Sequence, residues 1–315
     1  MVKRPIIQRY LSPEIWEKTK KDLTLKRLVR LINSYGGEYS LQLRENYFNI
    51  YYQGNSLAKV TPHRNGTYTA EIHERFLQPD KPDKDKILRK LKQYTINQTS
   101  QDARGKRKYV IFRIHPGKLY HFFQSNHLKA LSSNIRAVHS GEEITFEQVL
   151  ITDNPPSKNF IIIDRQIADH KNKAQMDLLA LKRASLDKLF HFIVIEVKLG
   201  KNPELRGKVG EQLNKYVKHI REYMKDYVDC YKENYRQKKE LGLFDPFDPH
   251  LPNEVDIDTD EKTVEGLIFV GGYSGLAEKA RPNLCQKIKE NRWNIKVQRM
   301  RNKIEIDNKS YCDEP

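Results

Sequence analysis

The segment at residues 190–198 (FHFIVIEVK) restricts the architecture of this chain more than any other part of its sequence. Because side chains alternate between the two faces of a strand, its apolar residues occupy both faces. Such a strand lies inside a sheet that is covered on both sides, as in α/β proteins. The segment ends in Glu196 and Lys198, which point to the same face. Since an unpaired buried charge is costly, these two residues form either a solvated ion pair or part of a site at the sheet edge.

The elements around this strand alternate between helical and extended periodicity. Helix, three strands, helix and strand in that order predict an α/β fold with a mixed central sheet flanked by helices. The predicted elements are a helix at 144–151, strands at 160–163, 176–181 and 190–197, a long helix at 206–241, a strand at 264–270, a helix at 277–290 and a strand at 295–297.

The first third of the chain has a different pattern. A helix is predicted at 13–35, because Ser12-Pro13 favours a helix start and Gly36-Gly37 favours a stop. Four strands and their turns then predict a small N-terminal α+β module rich in antiparallel strands and exposed tyrosines, at 39–43, 47–52, 57–60 and 68–72. The polar stretch at 79–108 is interpreted as a linker with one helix, so the predicted domains are 1–105 and 106–315.

The formal net charge of +16, from 57 basic and 41 acidic residues, predicts attraction to polyanions such as nucleic acids. The alternative is that these lysines only keep the protein soluble. No apolar stretch approaches a membrane span and no secretory leader is visible, so a cytoplasmic protein without a membrane partner is expected. Three widely spaced cysteines favour neither a disulfide framework nor a zinc knuckle.

Asp177 is the only acid in the strand predicted at 176–181. It would lie beside Glu196 if the two strands pair as a hairpin through the loop at 184–188. Carboxylate oxygens suit Mg²⁺ or Mn²⁺, and a bound ion activates water and neutralises charge on a phosphate. The nearby Lys198 can orient that water or stabilise the transition state. The sequence therefore predicts a site for phosphodiester hydrolysis at this sheet edge.

The spacing of an acid, any residue and a lysine is by itself weak evidence. Asp307-Asn308-Lys309 repeats it in a polar tail, where we expect no site. The prediction depends instead on the context of Glu196, at the end of a buried strand with a second acid on the neighbouring one.

Asp177 followed by Glu196-Val197-Lys198 resembles the motif of the PD-(D/E)xK nuclease superfamily. In the next helix, Gln212 and Tyr216 match the QxxxY motif of its RecB-like branch. The resemblance covers about residues 140–300 and implies a restriction-endonuclease-like core with the order αβββαβ. Gln212 and Tyr216 are one helical turn apart, on the side of an apolar stripe that should face the sheet: Val209, Leu213, Val217 and Ile220.

The resemblance also implies roles for individual residues. Asp177, Glu196 and the carbonyl of Val197 would bind Mg²⁺ or Mn²⁺, Lys198 would position or activate the water, and Gln212 would support the site or touch the substrate. Met176 stands where the motif has proline.

Many members of this superfamily carry a further acid on the helix before the first strand. Glu147 is the first candidate for it here, Glu143 the second and Glu142 the third. An acid in the first turn of this helix can instead only complement the helix dipole.

Two sets of residues are candidates for contacts with nucleic acid. One surrounds the expected cleft and equally fits a solvated helix face: Lys201, Arg206, Lys208, Lys215, Tyr216 and Lys218. The other lies in the N-terminal module, whose strands also suit dimerisation: Tyr47, Tyr51, Tyr52, Lys59, His63 and Arg64. A further polar group is interpreted as a turn: Asp164, Arg165, Asp169 and His170.

Together these patterns predict a metal-dependent nuclease. DNA is the expected substrate, and the resemblance implies an endonuclease of prokaryotic defence or repair. A homodimer is favoured, because one site cuts one strand at a time. Two alternatives stay open: a catalytically silent nucleic-acid-binding module with the same fold, and an RNase using the same chemistry.

Overall fold

The computed structural model describes residues 5–77, 86–103, 107–138, 141–171, 175–183, 189–245, 247–248, 251–272 and 275–300. Within these residues the chain forms two β-sheets, one antiparallel with six strands and one mixed with five, together with nine α-helices. The α/β class predicted from the sequence is therefore confirmed. The loop at 184–188 and the tail with the Asp307-Asn308-Lys309 pattern lie outside the described residues.

The first sheet has the strand order β1-β2-β3-β4-β6-β5. One of its faces packs on helices, and the interior residues of this layer form one apolar core. Its strands are β1 (Tyr39–Arg44), β2 (Tyr47–Tyr52), β3 (Asn55–Pro62), β4 (Tyr68–His73), β5 (Thr95–Ala103) and β6 (Arg107–Ile114). Its helices are α1 (Pro13–Thr19), α2 (Leu23–Asn33), α3 (Lys86–Lys92), α4 (Leu119–Phe122) and α5 (Ser125–Val138).

The prediction of one continuous helix at 13–35 is wrong, because this segment forms two helices, α1 and α2. The Asp22 side chain accepts a hydrogen bond from the Thr24 backbone N–H at 2.7 Å and caps α2. Because such a cap satisfies one of the free N–H groups at a helix start, it begins a second helix after α1 has ended.

The tyrosines of the first sheet were expected to be exposed, and four of them are buried. Tyr39, Tyr52 and Tyr68 face the helices and belong to the apolar core. Tyr51 faces the other way and lies under the guanidinium groups of Arg44 and Arg165.

The chain after residue 105 continues in the first sheet. Strand β6 pairs with β4 from Tyr68↔Ile114 to His73↔Tyr109, and β5 pairs with β6. Helix α5 packs into the same core. This grouping differs from the predicted domain boundary at 105. Strand β5 (TINQTSQDA) is mostly polar, with Ile96 as its one large apolar residue, so no apolar alternation marked it as a strand in the sequence.

The second sheet has the order β11-β10-β9-β8-β7. Neighbours β7, β8 and β9 are antiparallel, whereas β9, β10 and β11 are parallel. Its strands are β7 (Phe160–Ile167), β8 (Met176–Lys182), β9 (His191–Leu199), β10 (Glu265–Gly271) and β11 (Ile295–Arg299). Its helices are α6 (Glu142–Asp153), α7 (Lys208–Glu222), α8 (Met224–Glu240) and α9 (Gly275–Glu290).

Strand β9 is buried on both faces, as its sequence indicates. Phe192 and Val194 pack with α7, α8 and α9 on one side, whereas Ile193 and Ile195 face α6 on the other. The single long helix predicted at 206–241 is two helices, because the backbone leaves the helical region at Tyr223 (φ −117°, ψ 29°). No helix in the described parts of the chain combines the length and apolarity that crossing a membrane requires.

A buried ionic group joins the two sheets. Asp164 in β7 accepts hydrogen bonds from Arg9 Nε and Arg44 Nη1, both at 2.6 Å, and from the Tyr231 hydroxyl at 3.0 Å. Although burial alone would raise it, Arg44 and Arg9 hold the pKa of Asp164 well below its usual range. The prediction that Asp164 and Arg165 form a polar turn is wrong, because both are buried within β7.

Candidate functional site

The hairpin of β8 and β9 opens at the position of the two predicted acids. The strands pair from Lys182↔His191 to Leu178↔Ile195, which confirms the expected antiparallel hairpin. Asp177, one residue further along β8, uses its Oδ2 to accept a hydrogen bond from the Val197 backbone N–H at 2.8 Å. A side-chain carboxylate thus occupies the place of a strand partner, which holds Asp177 at the edge of the sheet beside Glu196.

Glu196 is almost completely buried, with 1 % of its surface exposed. Its Oε1 is 2.9 Å from Lys198 Nζ and accepts a hydrogen bond from Gln212 Nε2 at 3.1 Å. Its Oε2 is also buried, yet no residue that the structure describes forms a hydrogen bond with it. One oxygen of this carboxylate is therefore saturated, and the other is available to a ligand.

Helix α7 packs on the face of the sheet to which the Glu196 side chain points, and it supports the site from there. The Gln212 amide also donates to the Tyr216 hydroxyl at 2.9 Å, and that hydroxyl donates to the Gln175 carbonyl at 3.2 Å. The prediction that this side of α7 faces the sheet is confirmed by the burial of its apolar stripe. Tyr216, expected among the nucleic-acid contacts, is buried and ties α7 to the start of β8 instead.

Burial changes the acid–base properties of these groups. Burial, and next the nearby Asp177, raise the pKa of Glu196 to about 8, although Lys198 opposes both effects. Burial likewise raises the pKa of Asp177 to about 6, against the hydrogen bond from Val197. For Lys198 burial disfavours the charge, but the adjacent Glu196 outweighs it and the pKa of the ammonium lies above its usual range. The single positive charge of Lys198 therefore does not balance the two carboxylates, and a further cation would stabilise their charged forms.

The three candidate acids of α6 lie in different surroundings. Glu147 is buried and accepts a hydrogen bond from Arg165 Nη2 at 3.1 Å, and burial raises its pKa to about 7, with Asp177 contributing. Glu143 accepts a hydrogen bond from the Asn202 amide at 2.9 Å and helps to raise the pKa of Asp177. Glu142 is exposed and pairs with Lys201 at 2.6 Å. Glu147 and Glu143 therefore act electrostatically on Asp177.

The donor set fits a hard divalent cation. Asp177 Oδ1, the free Oε2 of Glu196 and the Val197 carbonyl are all oxygens, which Mg²⁺ and Mn²⁺ prefer while retaining several waters. No group of three or more His, Cys, Asp or Glu side chains is assembled for a metal among the residues that the structure describes. A cation at this edge would thus depend on two carboxylates, one carbonyl and water.

The predicted basic contacts lie around this edge. Lys208 and Lys215 are exposed on α7, one turn before and after Gln212, and Lys218 is exposed further along. Lys201 and Arg206 are exposed on the segment that follows β9. In the N-terminal group, Tyr51 and Tyr52 are buried, and the remaining charged members are engaged: Lys59 pairs with Glu71, and Arg64 with Glu14.

Three residues that contact the site were missed in the sequence. Arg165 holds Glu147, Asn202 holds Glu143, and Glu204 lies 3.4 Å from Lys198. Each acts through a partner that only the tertiary structure brings near.

Comparison with protein-family models, with curated proteins and with solved structures finds no match to this chain. The function must therefore be inferred from the geometry of the site itself.

Proposed function

We propose that this protein is a metal-dependent nuclease that hydrolyses phosphodiester bonds in DNA. The observation that carries the proposal is the environment of Glu196. Its Oε2 is buried beside a second carboxylate and a lysine, and it has no hydrogen-bond partner among the described residues. An unsatisfied buried polar atom costs about 1–3 kcal/mol, and a purely structural ion pair with Lys198 has no need of it. A cation at Oε2 would satisfy this oxygen.

Each residue has a definite part in the proposed reaction. Asp177, Glu196 and the Val197 carbonyl would hold Mg²⁺ or Mn²⁺, which supplies an activated water and neutralises charge on the phosphate. Lys198 would position or activate the water, or donate a hydrogen bond to a phosphate oxygen. Gln212 keeps Oε1 of Glu196 in place.

The order of elements supports the proposal as well. Helix α6, strands β7, β8 and β9, helices α7 and α8, and strand β10 follow one another as αβββααβ. With α7 and α8 counted as one interrupted helix, this order matches the αβββαβ order of the restriction-endonuclease-like core that the resemblance implies. The net charge of +16 favours a polyanionic substrate. An endonuclease activity and a role in defence or repair are further parts of the proposal that rest on the resemblance alone. A homodimer is also part of the proposal, because one site cuts one strand at a time.

The test is cleavage of supercoiled plasmid DNA with Mg²⁺, Mn²⁺ or EDTA. The Asp177→Asn variant keeps the size of the side chain and a carbonyl oxygen for the Val197 N–H, but it removes a negative charge. The matched control is Asp307→Asn, which alters the acid of the Asp307-Asn308-Lys309 pattern in the polar tail. We expect metal-dependent nicking or linearisation by the wild-type protein and the control, reduced at least about 100-fold in Asp177→Asn.

Single-stranded and double-stranded RNA are tested in parallel. Cleavage of RNA alone, with the same dependence on Asp177, would keep the chemistry and change the substrate. Salt-sensitive binding without cleavage of either polymer would contradict the proposed activity and favour the silent binding module.

A further inference from the structure

A basic pocket adjoins the candidate site between the segment that follows β9 and the first half of α9. A 3-10 helix at Pro203–Arg206 forms one wall and packs against α9, which forms the other. The pocket encloses about 290 Å³. Its lining residues are Gly200, Lys201, Asn202, Pro203, Arg206, Leu276, Lys279, Ala280 and Asn283.

The charge of this pocket is of one sign. Lys201, Arg206 and Lys279 contribute three cations, and none of the described lining residues is acidic. Lys201 is paired with Glu142, whereas Arg206 and Lys279 make no ion pair with the residues that the structure describes. The amides of Asn202 and Asn283 complete the polar wall. Because Glu142 holds Lys201 and Glu143 holds the Asn202 amide, the phosphate-binding groups of the lining are chiefly Arg206, Lys279 and the Asn283 amide.

One wall of the pocket also has an apolar element. Leu276, in the first turn of α9, is 57 % exposed and lines the pocket beside Lys279 and Ala280. A leucine side chain with this exposure can pack against a sugar or base that is attached to a bound phosphate. The volume suits a single nucleotide unit and excludes a duplex.

The pocket adjoins the candidate site along the segment that follows β9. Its first lining residue, Gly200, is two positions after Lys198 on the same segment, and it donates a hydrogen bond to the Gly271 carbonyl at the end of β10. Glu204 lies 3.4 Å from Lys198, and Asn202 donates to Glu143. A strand with one phosphate at Asp177 and Glu196 would therefore extend directly into the pocket.

We propose that this pocket binds a phosphate group of a single nucleic-acid strand, next to the phosphate that is cleaved. The inference rests on the proposed function for its geometry, and it names which part of the substrate meets this surface. The phosphate has two sources, a terminal monophosphate or an internal phosphodiester, and the experiment separates them.

The test measures binding and not cleavage. Full-length Asp177→Asn protein in EDTA is titrated with three fluorescent single-stranded oligonucleotides of one sequence, carrying a 5′ phosphate, a 3′ phosphate or neither. The same protein with Arg206→Gln and Lys279→Gln is compared with a control carrying Lys225→Gln and Lys289→Gln, two exposed helix lysines outside the pocket. Thermal unfolding verifies that all three proteins are equally folded.

We expect the pocket variant to bind at least about tenfold more weakly than the control. The slope of log K against log salt concentration should become shallower by about 0.7, the value for one lost phosphate contact on a single strand. A loss confined to one end-phosphorylated oligonucleotide would identify a terminal monophosphate, and an equal loss for all three would identify an internal phosphodiester. Equal affinities of the pocket variant and the control would overturn the inference. Because no catalysis is involved, this result is independent of whether the wild-type protein cleaves DNA.

Discussion

Gln212 is the residue that determines which oxygen of Glu196 stays free. Its amide donates both to Oε1 and to the Tyr216 hydroxyl, so the carboxylate is fixed in one rotation. Groups that orient a metal ligand in this way influence affinity nearly as much as the ligand itself. Gln212 is therefore a positioning residue, because it acts on the site through Glu196.

The Gln212→Ala variant should bind Mn²⁺ about 10–100-fold more weakly than the wild-type protein, because Glu196 loses the donor that orients it. Titration calorimetry measures this affinity without any substrate. Tyr216→Phe is the matched control, since it removes the second partner of the Gln212 amide and leaves the bond to Glu196. An unchanged affinity in Gln212→Ala would show that Lys198 alone positions the carboxylate.

At the level of elements, helix α6 is fastened to β7 by a buried ion pair. Arg165 donates to Glu147 at 3.1 Å and to the Gln148 side chain at 2.8 Å, and its guanidinium lies 5.1 Å from the centre of the Tyr51 ring. The close packing continues at Gly54, where an added Cβ would lie 2.2 Å from Ile144. Glu147 thus has a structural partner in addition to its electrostatic effect on Asp177.

Arg165→Met should lower the free energy of unfolding by about 3–5 kcal/mol, because it leaves Glu147 buried without its cation. Adding Glu147→Met should restore part of this loss, since no uncompensated charge then remains. Urea unfolding of both single variants and the double variant completes the cycle. Strictly additive effects of the two substitutions would show that the pair is not coupled.

The sequence predicted the elements whose apolar residues form a run or recur at helical spacing. Strands β7 to β10 and the apolar side of α7 were found from apolar runs and helical spacing. Strand β5 was missed because most of its residues are polar. The break between α7 and α8 was missed because it falls at Tyr223, where the sequence has no proline or glycine. In the same way, Asp177, Glu196, Lys198 and Gln212 were found from local patterns. Arg165 was not, because its significance depends on α6 and Tyr51, which are distant in the chain.

Across the whole molecule, the two sheets meet at a polar interior. Besides the arginines around Asp164, Lys238 of α8 is buried and donates to the Gln42 side chain at 2.7 Å and to the Ile163 carbonyl. Burial lowers the pKa of Lys238 to about 7, although Asp164 opposes this effect. The contact between the sheets therefore contains a lysine that is partly neutral near physiological pH.

The stability of the protein should accordingly depend on pH through Lys238. The unfolded chain keeps this proton up to about pH 10.5, whereas the folded protein releases it near pH 7. Between these values the unfolded state binds more protons, so the free energy of unfolding rises with pH. The rise is at most about 4–5 kcal/mol. Below pH 7 the buried lysine is charged, and the free energy of unfolding is lowered by this full amount.

Urea unfolding at pH 7 and pH 9.5 tests this dependence. Lys238→Met should reduce the rise between the two values, whereas Lys232→Met, at an exposed position on the same helix, should leave it unchanged. Equal slopes in Lys238→Met and the wild-type protein would mean that Lys238 is protonated throughout the range.

The opening of the β8–β9 hairpin has a consequence for spectroscopy. The Val197 amide proton is bonded to a carboxylate, not to a neighbouring strand. Its ¹H and ¹⁵N chemical shifts will therefore follow the charge that Asp177 carries and any ion that shares it. In protein labelled only at valine nitrogen, one resonance reports the state of the site. Occupancy can then be followed in solution while no substrate is present and nothing is being turned over.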